Sequence, residues 1–208
     1  MKVALMAYHS NLSKIYPPTW VEEYRSSILA QTYKDFDIYE CCYGKEKERI
    51  FDNSVYTHYE FPSFVHVMNY LLSVLFENGF DCVANSNVDD KFSADWIKKL
   101  LPYIDFGYDV ASCNFVIFQD EKMLGKHYFD KLNIEEELNR QHNILCHPAI
   151  LFNKTFWEKG NRYKPDEIPL EDLKLWQRAI KNSTFFIHPD HLCYHRLHSN
   201  SVCNSENR

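Results

Sequence analysis

Glycine is scarce in this sequence, 5 in 208 residues, and the 8 prolines follow no period. Collagen-like, low-complexity and repeat architectures are thereby excluded. There is no excess of positive charge. Lys plus Arg number 23 against 29 Asp plus Glu, a formal net charge of −6, which disfavours sequence-independent nucleic-acid binding because a phosphate backbone would be repelled. Long apolar runs are missing too. The longest uncharged stretch, Phe61 to Phe76, carries Pro62, Ser63, His66 and Asn69 and falls short of the ~20 apolar residues of a membrane span. Met1 to Ala7 reads directly into a strand with no apolar signal core and cleavage site, so secretion is not expected. Cys41, Cys42, Cys82, Cys113, Cys146, Cys193 and Cys203 contain no Cys-x-x-Cys pair and are odd in number. They suit reduced core thiols, and the expected location is cytoplasmic or peripheral to a membrane.

What the chain does contain is apolar and aromatic material: 45% hydrophobic and 16% aromatic residues against 25% charged. That is enough for one folded domain spanning 1–208. Val3 to Ala7 reads as a buried strand running into the polar loop Tyr8-His9-Ser10-Asn11, and Thr19 with Glu22 as the capping box of a helix reaching about Gln31. Phe36–Cys42 and Val55–Tyr59 read as strands. Ser63 is the expected cap of a helix with Phe64, Val67, Met68, Leu71, Leu72 and Leu75 on one face, closed by Asn78-Gly79. Cys82–Ser86 is a strand entering the turn Asn87-Val88-Asp89-Asp90, and Ser93 caps a helix that Pro102 is expected to end. Further strands are expected at Asp109–Phe118, at Cys146–Phe152 and from Phe185, with helices at Asn153–Lys159 and Glu171–Ile180. Strands alternating with helices predict an α/β fold, a mostly parallel central sheet flanked by helices, with ligands bound beyond the carboxyl ends of the strands.

Three places could carry chemistry. Asp89 and Asp90, hard oxygen ligands at a strand end, suit Mg²⁺ or Mn²⁺ bridging a diphosphate, but a solvated acidic turn is the plainer alternative. Glu171 and Asp172 open a helix, where the backbone dipole favours carboxylates in any case; behind the loop 164–169 they could also supply a general base. In the tail, His188, His191, Cys193, His195, His198 and Cys203 lack the spacing of structural zinc sites. Alternation puts Cys193 and His195 on one face and Tyr194 and Arg196 on the other, leaving Arg196 and His198 to hold a phosphate or its metal, or simply to lie on the surface.

These stretches, in order, resemble family 2 glycosyltransferases. Lys2 to His9 is similar to the family's first strand and nucleotide loop, and Ser27-Ile28-Leu29-Ala30-Gln31-Thr32-Tyr33 to its S-I-L-x-Q-T-Y helix exit. Asn87-Val88-Asp89-Asp90 stands where the family has D-x-D-D. Glu171-Asp172-Leu173-Lys174-Leu175-Trp176-Gln177-Arg178 resembles E-D-x-x-L-W-x-R, and Tyr194 to Ser201 the closing Y-R-x-H-x-x-S element. The resemblance spans nearly the whole chain. It implies a GT-A fold and an inverting, metal-assisted transfer from a nucleotide-diphosphate sugar to an acceptor hydroxyl on a glycan, lipid-linked or protein acceptor. It implies Asp172 as general base with Glu171 beside it, Asp89 and His198 as ligands of Mn²⁺ or Mg²⁺, and Ala7, Tyr8, His9, Asn87, Asp90 and Arg196 as nucleotide-sugar contacts. Two departures stand out. The second strand ends in Glu40-Cys41-Cys42-Tyr43-Gly44, without the family's base-recognising aspartate, and Asn87 replaces the first aspartate of the metal turn. They motivate an alternative, a catalytically silent module that binds a nucleotide sugar or a partner. A nucleotidyltransferase is disfavoured because Tyr8-His9-Ser10-Asn11 has no glycine, lysine or arginine for a triphosphate.

Overall fold

A computed structural model describes residues 1–129 and 133–198; Cys203 and the Ser199-Asn200-Ser201 end of the closing element lie outside the described residues. The first half runs β1 (Val3–His9), α1 (Leu12–Ile15), α2 (Pro18–Leu29), β2 (Phe36–Cys42), β3 (Val55–His58), α3 (Phe64–Glu77), β4 (Cys82–Ser86), β5 (Lys91–Phe92) and α4 (Trp96–Asp105). The second half adds β6 (Val110–Gln119), β7 (Lys122–His127), α5 (Ile134–Asn139), β8 (Leu151–Asn153), α6 (Lys154–Glu158), α7 (Glu171–Ala179) and β9 (Phe185–Arg196).

One sheet joins the strands in the order β3-β2-β1-β4-β8-β6-β9-β5, with β7 paired to β6. Strands β3, β2, β1 and β4 are mutually parallel. Their alternating side chains feed two cores. Ala4 and Met6 of β1 face one core with α3, α6 and α7, whereas Val3, Leu5 and Ala7 face the other with α2 and α4. Beyond β4 the sheet becomes mixed. Short β8 is antiparallel to both β4 and β6, and β9 runs parallel to β6. Because β1 and β4 lie side by side and parallel, the loops Tyr8–Asn11 and Asn87–Asp90 leave the same edge of the sheet.

The expected α/β architecture is present, and several boundaries differ for local reasons. The Thr19–Glu22 capping box does not form: α2 starts at Pro18 behind Pro17, and Glu22 instead accepts a hydrogen bond from Ser26 Oγ. Ser63 does precede α3, but its hydroxyl pairs with the His66 ring at 2.9 Å rather than with a backbone N–H. Pro102 does not end α4, which continues to Asp105. The missing hydrogen bond falls on the solvent side, where Lys98 and Pro102 are exposed, while Trp96, Ile97, Leu100 and Ile104 stay buried. Where one strand was expected over Cys146–Phe152, a 3₁₀ turn at His147–Ala149 precedes β8, since Pro148 offers no N–H to a ladder. Strands β5 and β7 and helices α1 and α5 were not anticipated. All six described cysteines are buried and free.

Candidate functional site

The polar loops after β1 and β4 meet directly. Tyr8 OH donates to Asn87 Oδ1 at 3.0 Å, and both residues line a cleft of about 300 Å³. The cleft is completed by Tyr16, Tyr43, Phe64, Asp89, Phe115, Asn143, the segment 145–148, Pro169, Glu171, Asp172, His195, Leu197 and His198, among others. Residues from β1, the β4 turn, the start of α7 and the segment after β9 therefore converge at the carboxyl edge, as open α/β sheets place their ligands. Asp89 Oδ2 lies 2.9 Å from His198 Nε2, across 109 positions of sequence.

The acidic pair at the start of α7 is divided. Asp172 Oδ1 accepts from the backbone N–H of Leu173 at 2.6 Å, and its Oδ2 accepts from Asn143 Nδ2 at 2.6 Å. Glu171 is 7% exposed, and its Oε2 is buried without a hydrogen-bond partner. Burial, and then the neighbouring Asp172 carboxylate, push the Glu171 carboxyl up to about 7. Three of the groups around them are held neutral. Burial raises the Tyr8 and Tyr163 phenols well above their ordinary value, and burial lowers His147, whose Nε2 pairs with Tyr163 OH at 2.9 Å.

The Asp89 turn is clamped from behind. Asp90 is 1% exposed, and its Oδ1 accepts from the Arg196 backbone N–H at 2.9 Å and pairs with His195 Nδ1 at 3.1 Å. Although burial would lower His195, the Asp90 carboxylate outweighs it and pushes the imidazole up to about 9. The Arg196 guanidinium lies between the rings of Trp20 and Phe118, 4.6 and 4.4 Å from their centroids. It donates to the Asp89 carbonyl at 3.0 Å and is ion-paired with Glu23. At the end of β2, Glu40 is fully buried and accepts from Ile50 N, Phe51 N and Ser54 Oγ while pairing with His9 Nε2 at 2.9 Å.

Of the residues expected to act, Tyr8, His9, Asn87, Asp89, Glu171, Asp172 and His198 are brought together along one cleft. Three expected donor contacts are placed differently. The Ala7 methyl belongs to the core with Val3 and Leu5, because β1 alternation turns it away. Asp90 and Arg196 stand behind the cleft wall, where each is consumed by the clamp just described. The His9 imidazole is likewise committed to Glu40. Sequence reading missed Asn143, His147 and Tyr163, which come from segments with no motif, and also the Trp20–Glu23 partnership with Arg196. The i, i+3 spacing of Trp20 and Glu23 was a visible signal of a shared helix face, but nothing pointed to a partner 173 positions away.

Among the described residues, no three His, Cys, Asp or Glu side chains gather into a metal site of their own. Asp89 and His198 offer one hard oxygen and one imidazole in contact. Such a pair fits an Mn²⁺ or Mg²⁺ ion held jointly with substrate phosphates, because these ions commonly take only one or two protein ligands beside a phosphate group.

This α/β domain, with its cleft at the carboxyl edge, has a GT-A-like glycosyltransferase fold. The chain is similar along its full length to residues 1–349 of S. aureus TarS in complex with UDP-GlcNAc, with 12% identity, TM-score 0.75 and 62% of that chain covered. The same protein with UDP aligns over 96% of this chain and 61% of its own, with 12% identity and TM-score 0.71. The mannosyltransferase PcManGT of Pyrobaculum calidifontis, in complex with GDP-Man and Mn²⁺, aligns over 97% of this chain and 58% of its own, with 11% identity and TM-score 0.66. The chain thus spans about three fifths of the length of these structures. No protein-family model and no curated protein sequence matches it. Among the described residues no helix is long and apolar enough to cross a membrane.

Proposed function

We propose that the chain is a divergent family 2 glycosyltransferase that transfers a sugar with inversion from a nucleotide-diphosphate sugar to an acceptor hydroxyl. The observation that carries this reading is the convergence on one cleft of the Asp89–His198 pair, the Tyr8–Asn87 pair and Asp172. The fold shared with proteins in complex with UDP-GlcNAc and GDP-Man supports a donor of this chemical class. Tyr8 and Tyr43 would offer the aromatic surface for the base, and the Asn87 side chain would contact the ribose. Asp89 and His198 are the residues that would hold Mn²⁺ or Mg²⁺, and the ion would offset the charge of the departing diphosphate.

In the reaction, Asp172 takes the proton from the acceptor hydroxyl. The acceptor oxygen forms its bond to the anomeric carbon as the bond from that carbon to the diphosphate oxygen breaks, and the nucleoside diphosphate departs with the electron pair. No covalent enzyme intermediate arises. The amide donors on both Asp172 oxygens orient the carboxylate, and one of these contacts gives way to the acceptor.

The test is a thermal-shift screen of nucleotide sugars with and without Mn²⁺, since a ligand that binds the folded state raises apparent stability by RT ln(1 + [L]/Kd). Stabilisation by one donor class, enhanced by the ion and reduced in Asp89→Ala, is expected. No shift with any nucleotide sugar would overturn the assignment. Asn87 and the missing base-reading aspartate favour one competing reading, a silent binding module, which predicts stabilisation without hydrolysis or transfer.

A further inference from the structure

The two adjacent carboxyls of α7 face the same cleft in different surroundings. Asp172 is supplied with two amide donors, which stabilise a carboxylate. Glu171 receives none on Oε2, is almost fully enclosed, and sits beside that carboxylate. Among the described residues only its own backbone N–H favours the charged form; a negative charge so buried beside a second one is disfavoured, and the group takes up a proton instead. The groups that face it leave this unchanged. Tyr8 from β1 and Tyr163 after α6 are neutral phenols, His147 from the 3₁₀ turn is a neutral imidazole, and the Asp172 carboxylate on its own helix pushes Glu171 further toward its protonated form. None of them offers Glu171 a cation.

We propose that Glu171 works as a neutral carboxyl whose O–H donates a hydrogen bond to a hydroxyl of the sugar being transferred, making it the residue that reads the donor's sugar while Asp172 remains the base. This presupposes the nucleotide-sugar reading above and adds to it a division of labour within the acidic pair. A protonated carboxyl is both donor and acceptor, so it fits a sugar hydroxyl, whereas an ionised one only accepts. The side chain's half-protonation near pH 7 agrees with this role. It also implies that affinity for the sugar, but not for the nucleotide alone, declines as the proton leaves.

The experiment is isothermal titration of the whole protein between pH 6 and pH 8, with UDP-GlcNAc against UDP and GDP-mannose against GDP. For the nucleotide sugar that binds, affinity should fall roughly tenfold from pH 6 to pH 8, the loss of protonated form across one unit above 7. Affinity for the matching nucleoside diphosphate should show no such fall, since its terminal phosphate only gains charge over this range. Glu171→Gln, an amide that keeps an N–H donor at every pH, should abolish the slope and bind the nucleotide sugar about tenfold more tightly than the parent protein at pH 8. Glu171→Leu should weaken the nucleotide sugar at both pH values and leave the nucleoside diphosphate untouched. Four results would overturn the proposal: a level pH dependence in the parent, a slope retained in Glu171→Gln, the same slope with the nucleoside diphosphate, or undiminished sugar binding in Glu171→Leu. Failure to bind any of the four probes would overturn the nucleotide-sugar reading itself, a different outcome. If Glu171→Leu did not fold, the Glu171→Gln slope would decide alone.

Discussion

At the scale of single residues, Asp172 is the sharpest point of the proposed chemistry. Asp172→Asn preserves the shape and can still pair with Asn143 after an amide flip, yet it cannot accept a proton at neutral pH. Turnover with an identified acceptor is expected to fall ~10²–10⁴-fold, the usual contribution of a general base, while donor binding followed by calorimetry persists. Retained turnover would place the base elsewhere. The sequence showed the identity of this carboxylate but not its surroundings. Asn143 lies in a stretch without a motif and reaches Asp172 because the preceding helix α5 lies against α7, where the Leu138 carbonyl accepts from Gln177 Nε2. Arg196 illustrates the reverse. Its position near a strand end suggested a phosphate ligand, but the aromatic rings that enclose it belong to α2 and β6, distant in sequence from β9 and from each other.

At the scale of elements, long periodic segments were legible and punctuation was not. The stripe of Val67, Met68, Leu71, Leu72 and Leu75 marks α3 unambiguously, because a helix buries residues three and four apart on one side. Short β5 and β8 have no such signature, two and three residues being too few for alternation to show, and the six of β7, Lys122–His127, do not alternate. Pro102 was misread as a stop because its cost depends on where the orphaned carbonyl points. Here Lys98 lies on the wet side of α4, and water can satisfy it. Replacing Pro102 with alanine should therefore extend the hydrogen-bonded ladder without disturbing the core, stabilising the protein by about 1 kcal/mol or more in urea unfolding. A loss of stability would mean that the ring's packing or its restriction of the unfolded chain outweighs the restored bond.

At the scale of the molecule, buried carboxyls set opposing responses to pH. Burial alone would raise Glu40, but hydrogen bonds from His9, Ile50, Ser54 and Phe51 hold it below its ordinary value. Asp109 is likewise held low against burial, by Lys159, Thr184 and Thr155. Both contribute stability above the usual carboxylate range and lose it as acid protonates them. Glu171 acts with the opposite sign. Its folded state binds the proton more tightly than the unfolded chain, so stability declines as pH rises from the ordinary glutamate value to about 7. Glu171→Gln should match the parent protein near pH 4.5 and exceed it by roughly 3 kcal/mol at pH 8, measured as urea midpoints at the two pH values. Equal midpoints at pH 8 would show that the carboxylate is solvated in the folded state. The order of strands, helices and polar loops was readable in advance at this scale. The convergence of Asp89, His198 and Asp172 was not, since periodicity reports which way a side chain faces but not which distant segment it meets.

The tie between the Asp89–Asp90 turn and β9 also has a consequence for biosynthesis. Asp90 is fixed by a backbone N–H that follows it by 106 positions, and the Arg196 guanidinium that grips the Asp89 carbonyl belongs to the same late residue. A nascent chain therefore contains strands β1 to β4 well before the proposed donor-binding turn has anything to rest on. Nucleotide-sugar binding should appear only when β9 docks. Donor capture would then report on the last step of folding, and partly made chains would not sequester a charged metabolite they could not use.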